Sequence, residues 1–155
     1  MDGQPAYLMN GVVVTNDGRT AYFTSSSSHF GLTDAMYELL SAGSGRLLQY
    51  DLEGGAVTVL VSGLAFPNGV ALSADESSLL VAETMRYRVL EHKIVGHEAG
   101  QTRALSELPG MPDNLVSNGR GGYLVGLLSP LGPEDEAMVV KRVQAFPSLA
   151  RLLAR

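Results

Sequence analysis

Cysteine and tryptophan are absent from the 155 residues, and only three histidines occur. Without thiols the chain can form neither a disulfide framework nor a thiolate metal site, although the compartment stays open. His29, His92 and His97 show no His-x-x-x-His or related ligand spacing and read as surface or packing residues. No apolar run approaches the roughly 20 residues of a bilayer-spanning helix. No charged-then-apolar leader is present, so a signal or an anchor, and with it any membrane association, is expected only in segments outside this stretch. No Gly-x-Ser-x-Gly elbow surrounds Ser25–Ser28, which argues against a serine nucleophile. Gly119–Gly122 is a hairpin turn and not a phosphate loop, because neither a helix nor a Lys-Ser/Thr pair follows. Blocks of like charge are missing too. Eleven basic against sixteen acidic residues give a net charge of −5, which argues against nucleic acid as a partner.

What is present is turn chemistry on an apolar background. Eighteen glycines and seven prolines accompany 45% apolar residues, so short strands and a buried core are expected rather than long helices. The length suits one ordinary domain. Three stretches align: Asn10-Gly11-VVVTNDGRTAYFT, Asn68-Gly69-VALSADESSLLVAE and Asp113-Asn114-LVSNGRGGYLVG. Each gives a polar pair, an apolar strand, a polar turn and a second apolar strand. The openings lie 58 and 45 residues apart, from Asn10 to Asn68 and from Asn68 to Asp113. Multi-strand repeats of this period are the sequence mark of propeller blades.

Further strands fill the intervals. Gly45-RLLQYD and Ala56-VTVLVSG flank the turn Leu52–Gly55 as a hairpin, and Tyr87-RVLEHKIVG and Thr102-RALSEL do the same in the second unit. The expected organisation is a blade over 1–63, a second over 64–108, a partial blade over 109–133, and a helical insertion or tail over 134–155, two short helices broken near Pro147. The expected fold is all-β, a partial six-bladed β-propeller of about two and a half blades. A small open sandwich of unrelated hairpins is the alternative. Open blade faces would lack neighbours, and in repeat folds much of the core lies between neighbours. Poor solubility of the isolated stretch is therefore expected.

The segments AYFTSSSS, GRLLQYD, FPNGVALS, LLVAET, GHEAG and LPGMPDN, in this order, resemble the strictosidine synthase-like family, within the superfamily of paraoxonases and gluconolactonases. The resemblance runs from about Gly3 to Ser129 and implies a six-bladed propeller lacking its first blades and its last. The inner strand of each blade lines the central channel. Loops into those strands open at one end, so Asn10, Asn68 and Asp113-Asn114 are expected to gather at one mouth. Amide carbonyls of Asn10, Asn68 and Asn114 with the Asp113 carboxylate form a hard oxygen set of the kind Ca²⁺ accepts. In paraoxonases and gluconolactonases such loop residues hold a catalytic metal, and the resemblance makes Asp113 a base that activates water on a small-molecule substrate. It thereby implies a hydrolase of lactones or esters, of lactonase or arylesterase type.

Two positions depart from the family pattern. Gly11 stands where the family has Asp, and Ser25 stands where it has the Asp of YFTDSS. Fewer carboxylates favour a non-catalytic binding or scaffold propeller. A condensing enzyme of the plant synthase type is a further variant, but its catalytic glutamate belongs to the last blade and nothing here inherits it. Turn formation is the structural alternative for each Asn-Gly pair. Glu83 is expected to pair with Arg86 or Arg88, and Asp34–Leu40 is a lid candidate over the channel.

Overall fold

The computed structural model of the chain describes residues 6–31, 33–34, 37–38 and 43–130. The expected helical tail over 134–155 lies outside the described residues, as does most of the lid candidate. Ten strands are present: β1 (Met9–Val14), β2 (Thr20–Ser25), β3 (Gly45–Asp51), β4 (Val57–Leu64), β5 (Pro67–Leu72), β6 (Ser78–Glu83), β7 (Arg88–Lys93), β8 (Thr102–Glu107), β9 (Gly110–Ser117) and β10 (Tyr123–Pro130). They form antiparallel sheets in the orders β1-β2-β3-β4 and β5-β6-β7-β8, with β9-β10 as a third, two-stranded sheet. The strands of each sheet follow one another in sequence, as in a propeller blade.

The core lies between the sheets. Tyr22, Leu47 and Leu64 of the first pack on Val70, Leu79, Val81 and Leu90 of the second. Ala71, Leu80, Ala82 and Val89 of the second pack on Leu115 of the third, with Tyr123 and Val125 at the margin. Each buried Leu or Val is worth about 1.5–3 kcal/mol, so neighbouring blades contribute substantially to one another's stability. Where no neighbour is present, apolar side chains are open: Val12 is 66% exposed, Val116 60% and Leu124 64%.

The polar pairs lie within the inner strands rather than ahead of them. Met9 faces Ser25 and Val12 faces Phe23, so Asn10 and Gly11 together oppose Thr24. Asn68 and Gly69 oppose Ala82 between the pairs Pro67–Glu83 and Val70–Val81. Asp113 and Asn114 oppose Gly126 between Pro112–Leu127 and Leu115–Val125. Two residues against one is a β-bulge, which kinks the strand and re-aims its side chains. Neither Asn-Gly pair has a positive φ, so these are not the tight turns that Asn-Gly commonly makes. The glycines serve close approach instead. A Cβ on Gly11 would stand 2.8 Å from the Asn68 carbonyl oxygen, and one on Gly69 would stand 2.7 Å from Asn114 Cα and Leu115 N. The three inner strands thus touch backbone to backbone.

The hairpin turns at the other end are polar and self-capped. Asp75 accepts from Ser73 Oγ at 2.6 Å and from Ser77 N and Oγ at 3.1 and 2.8 Å. The Ser73 hydroxyl, then the Ser77 backbone and side-chain donors, pull its pKa down to about 2. Glu76 reaches across to the first blade, accepting from Asn16 N at 2.8 Å.

Gly69→Ala should destabilise the full-length protein by about 1–3 kcal/mol, the usual cost of overpacking. Urea unfolding of the pair checks it, and an unchanged midpoint would show that β5 and β9 do not pack this closely.

Candidate functional site

Asn68 is the most constrained of the anticipated site residues. It sits on the β5 bulge with 3% of its surface exposed. Its side-chain oxygen Oδ1 is buried and has no hydrogen-bond partner. Native structures seldom leave such an acceptor unmet, and the desolvation penalty is about 1–3 kcal/mol. By its chemistry an amide oxygen accepts a donor or a cation, and this one is buried from solvent.

Around it the backbone is held by hydroxyls. Thr24 Oγ1 donates to the Asn68 carbonyl at 2.5 Å and accepts from Gly11 N at 2.9 Å. Ser26 Oγ donates to the Pro67 carbonyl at 2.8 Å and accepts from Asn10 Nδ2 at 3.2 Å. Thr84, in the 3₁₀ turn Thr84–Arg86 after β6, donates from Oγ1 to the Pro112 carbonyl at 2.6 Å. The other anticipated residues are more open. Asp113 is half-buried, and Asn10 and Asn114 are exposed. Asn10, Asn68 and Asp113 occupy equivalent bulge positions on adjacent strands. Gly11 abuts the Asn68–Val70 backbone and Gly69 abuts that of Asp113–Leu115. Among the described residues no group of three or more His, Asp or Glu side chains could hold a metal ion. A Ca²⁺ site, with six to eight oxygens, would therefore rest on amide and backbone oxygens as well as the Asp113 carboxylate.

The two departures from the family pattern acquire a physical reading. Sheet register makes Ser25 the counterpart of Glu83, since Ser25 faces Met9 and Arg46 while Glu83 faces Pro67 and Arg88. Glu83 is fully buried and spent on structure. Oε1 accepts from Ala65 N at 2.8 Å and Arg86 Nη1 at 3.0 Å, and Oε2 from Arg88 Nε at 2.6 Å. Ser25, likewise buried, donates to the Ser27 carbonyl at 2.9 Å. In the second blade this position carries an arginine-pairing carboxylate, and in the first it carries serine opposite Arg46. Gly11, counterpart of Gly69, has no room for a Cβ on this backbone.

The remaining candidates are structural. His92 is buried, with Nδ1 2.8 Å from Thr102 Oγ1, and burial lowers its pKa. His29 and His97 are exposed. Ser27 Oγ donates to Glu38 Oε2 at 2.7 Å, and Ser44 N and Oγ donate to Glu38 Oε1 at 2.8 and 2.9 Å. Glu38, 1% exposed, thus pins part of the lid candidate to the first blade. An open groove of about 500 Å³ runs along the C-terminal halves of the inner strands, lined by residues such as Val14, Leu72 and Val116. It includes none of Asn10, Asn68, Asp113 and Asn114, and its walls mix these apolar side chains with Asn16, Ser73, Glu76 and Ser117.

Thr24, Ser26 and Thr84 do not stand out in the sequence as site residues. A signal was present, since Ser26 and Thr84 occupy the same repeat position after AYFTS and LLVAE. Their acceptors are backbone atoms of the next blade, which no residue pattern displays.

A profile of the strictosidine synthase family matches residues 10–97. The adipocyte plasma membrane-associated protein of Danio rerio is 36% identical over 153 residues, covering 97% of this chain and 37% of the relative. Strictosidine synthase-like 10 of Arabidopsis thaliana is 38% identical over 132 residues, covering 84% of this chain and 35% of the relative. The chain thus spans little more than a third of the curated relatives it matches. Among solved structures, a gluconolactonase from Xanthomonas campestris superposes with a TM-score of 0.63 at 19% identity, over 82% of this chain and 43% of the other. Regucalcin from Agrobacterium tumefaciens, described as a calcium-binding protein, superposes with a TM-score of 0.56 at 16% identity, over 76% of this chain and 37% of the other. At these identities the likeness establishes the fold, a partial six-bladed propeller.

Removing the buried carboxylate in Glu83→Ala should cost on the order of 3 kcal/mol, because two guanidinium groups and a backbone N–H lose their acceptor. Glu83→Gln should fall between it and wild type in chemical denaturation. Equal stability of all three proteins would contradict the pairing.

Proposed function

Because the chain belongs to the strictosidine synthase family, we propose that the protein is a hydrolase of lactones or esters whose site lies at the inner-strand bulges. The observation that carries this reading is the buried Asn68 Oδ1, an acceptor without a donor on the bulge equivalent to those of Asn10 and Asp113. Asn68 would hold a divalent cation, with Ca²⁺ the best match to hard oxygen donors. Asp113 would supply negative charge, and Asn10 would present the amide oxygen left when its Nδ2 is tied to Ser26. Asn114, exposed on the last bulge, is the most peripheral of the four. Such a cation supplies Lewis acidity, polarising a carbonyl and stabilising the oxyanion formed on it.

Asp113 is partly open to solvent, so its carboxylate has access to water. It would take the proton as that water attacks the carbonyl carbon. Asn68 would keep the acyl oxygen side of the site fixed, since Thr24 and Ser26 restrain its backbone. The non-catalytic reading rested on Gly11 and Ser25. Close packing at Gly11 and the register match of Ser25 with Glu83 support a structural reading of both positions, and so favour the hydrolase.

Calcium should raise the melting temperature of the full-length protein, by the equivalent of about 2.7 kcal/mol at a hundredfold excess over Kd, and EGTA should reverse it. Asn68→Leu should lose that response while melting no lower than wild type without cation, because an unmet buried acceptor disappears. A wild type indifferent to Ca²⁺ and EGTA, and inactive on a panel of lactones and aryl esters, would remove the proposal.

A further inference from the structure

A β-bulge interrupts the ladder and leaves backbone groups needing other partners. At both blade boundaries those partners are side-chain hydroxyls. Ser26 and Thr84 are equivalent in the repeat: Ser26 N donates to the Leu8 carbonyl at 2.7 Å, and Thr84 N to the Phe66 carbonyl at 3.2 Å. Their acceptors are equivalent as well. Ser26 Oγ holds the Pro67 carbonyl, just before Asn68, and Thr84 Oγ1 holds the Pro112 carbonyl, just before Asp113. Both donors are completely buried. At the first boundary two relays run in parallel, Asn10 Nδ2 to Ser26 to Pro67 and Gly11 N to Thr24 to Asn68. Buried chains of this kind are mutually reinforcing.

We infer that Ser26, Thr24 and Thr84 are positioning residues, hydroxyl latches by which each blade sets the bulge of the next and so fixes the spacing of Asn10, Asn68 and Asp113. The inference rests on the proposed cation site and adds to it the groups that set its geometry. Thr84 is the sharpest case. It lies within the blade that carries Asn68, between β6 and β7, and grips the strand that carries Asp113, so one hydrogen bond spans the two. Its methyl group contributes packing in either role, whereas only its hydroxyl can hold the carbonyl.

The test compares Thr84→Val, which keeps shape and loses the hydroxyl, with Thr84→Ser, which keeps the hydroxyl. Val89→Ala serves as a packing control in the same interface, and Ser26→Ala repeats the test at the first boundary should Thr84→Val fail to fold. Calcium affinity is read in the full-length proteins from calcium-dependent melting, beside the melting temperature without cation. Thr84→Val is expected to weaken calcium binding about 10–100-fold, the range seen for groups that orient metal ligands. Thr84→Ser should restore most of it. Val89→Ala should lower the melting temperature while leaving calcium affinity unchanged. Wild-type affinity in Thr84→Val or Ser26→Ala would overturn the latch while leaving the cation site standing. Absence of calcium binding in the wild type would remove the cation site and the latch together.

Discussion

The structure turns on one close contact: three inner strands packed backbone against backbone through Gly11 and Gly69. Any side chain at these positions would push a Cβ to within 2.7–2.8 Å of the adjoining strand. That approach brings residues 58 and 45 positions apart in sequence onto neighbouring strands at matched height. The apolar clusters between blades, built on Leu47, Leu79 and Leu115 among others, stabilise the same arrangement from behind. The inner-strand backbone contact and the site geometry are therefore one problem here. A change that separates the blades also separates Asn68 from Asp113.

Tight packing would by itself favour straight, regular strands. The bulges at Asn10-Gly11, Asn68-Gly69 and Asp113-Asn114 break that regularity at one height. The cost is a set of backbone carbonyls and one side-chain oxygen removed from their usual partners. The hydroxyls of Thr24, Ser26 and Thr84 satisfy the carbonyls, and Asn68 Oδ1 alone stays unmet among those acceptors. The surrounding carbonyls are satisfied and that buried oxygen is not, which is the asymmetry on which the proposed site is built. The carboxylates nearby are divided by task in the same manner. Glu83 and Glu38 are buried in structural hydrogen bonds, while Asp113 keeps access to solvent.

Much of this was legible before coordinates. Strand number, order and the repeat followed from alternating apolar runs and turn residues, because those features depend on local chemistry. The pairing of Glu83 with Arg86 and Arg88 was readable for the same reason, their separation being three and five residues. The character of the Asn-Gly pairs was not. A bulge is defined by what opposes it across the ladder, and Asn68-Gly69 without its partner Ala82 looks like a turn. The meaning of Ser25 was hidden in the same way: only register shows it to be the counterpart of Glu83. The latches were harder still, because their acceptors are main-chain carbonyls of another blade.

The central claim is that the inner-strand contact gathers Asn68 and Asp113 about one cation. A crystal structure of the full-length protein grown with calcium tests it most directly. The account predicts an ion coordinated by Asn68 Oδ1 and the Asp113 carboxylate, with the Thr84 hydroxyl still on the Pro112 carbonyl. An Asn68 side chain engaged by a protein donor, or the two residues turned to separate cavities, would contradict it.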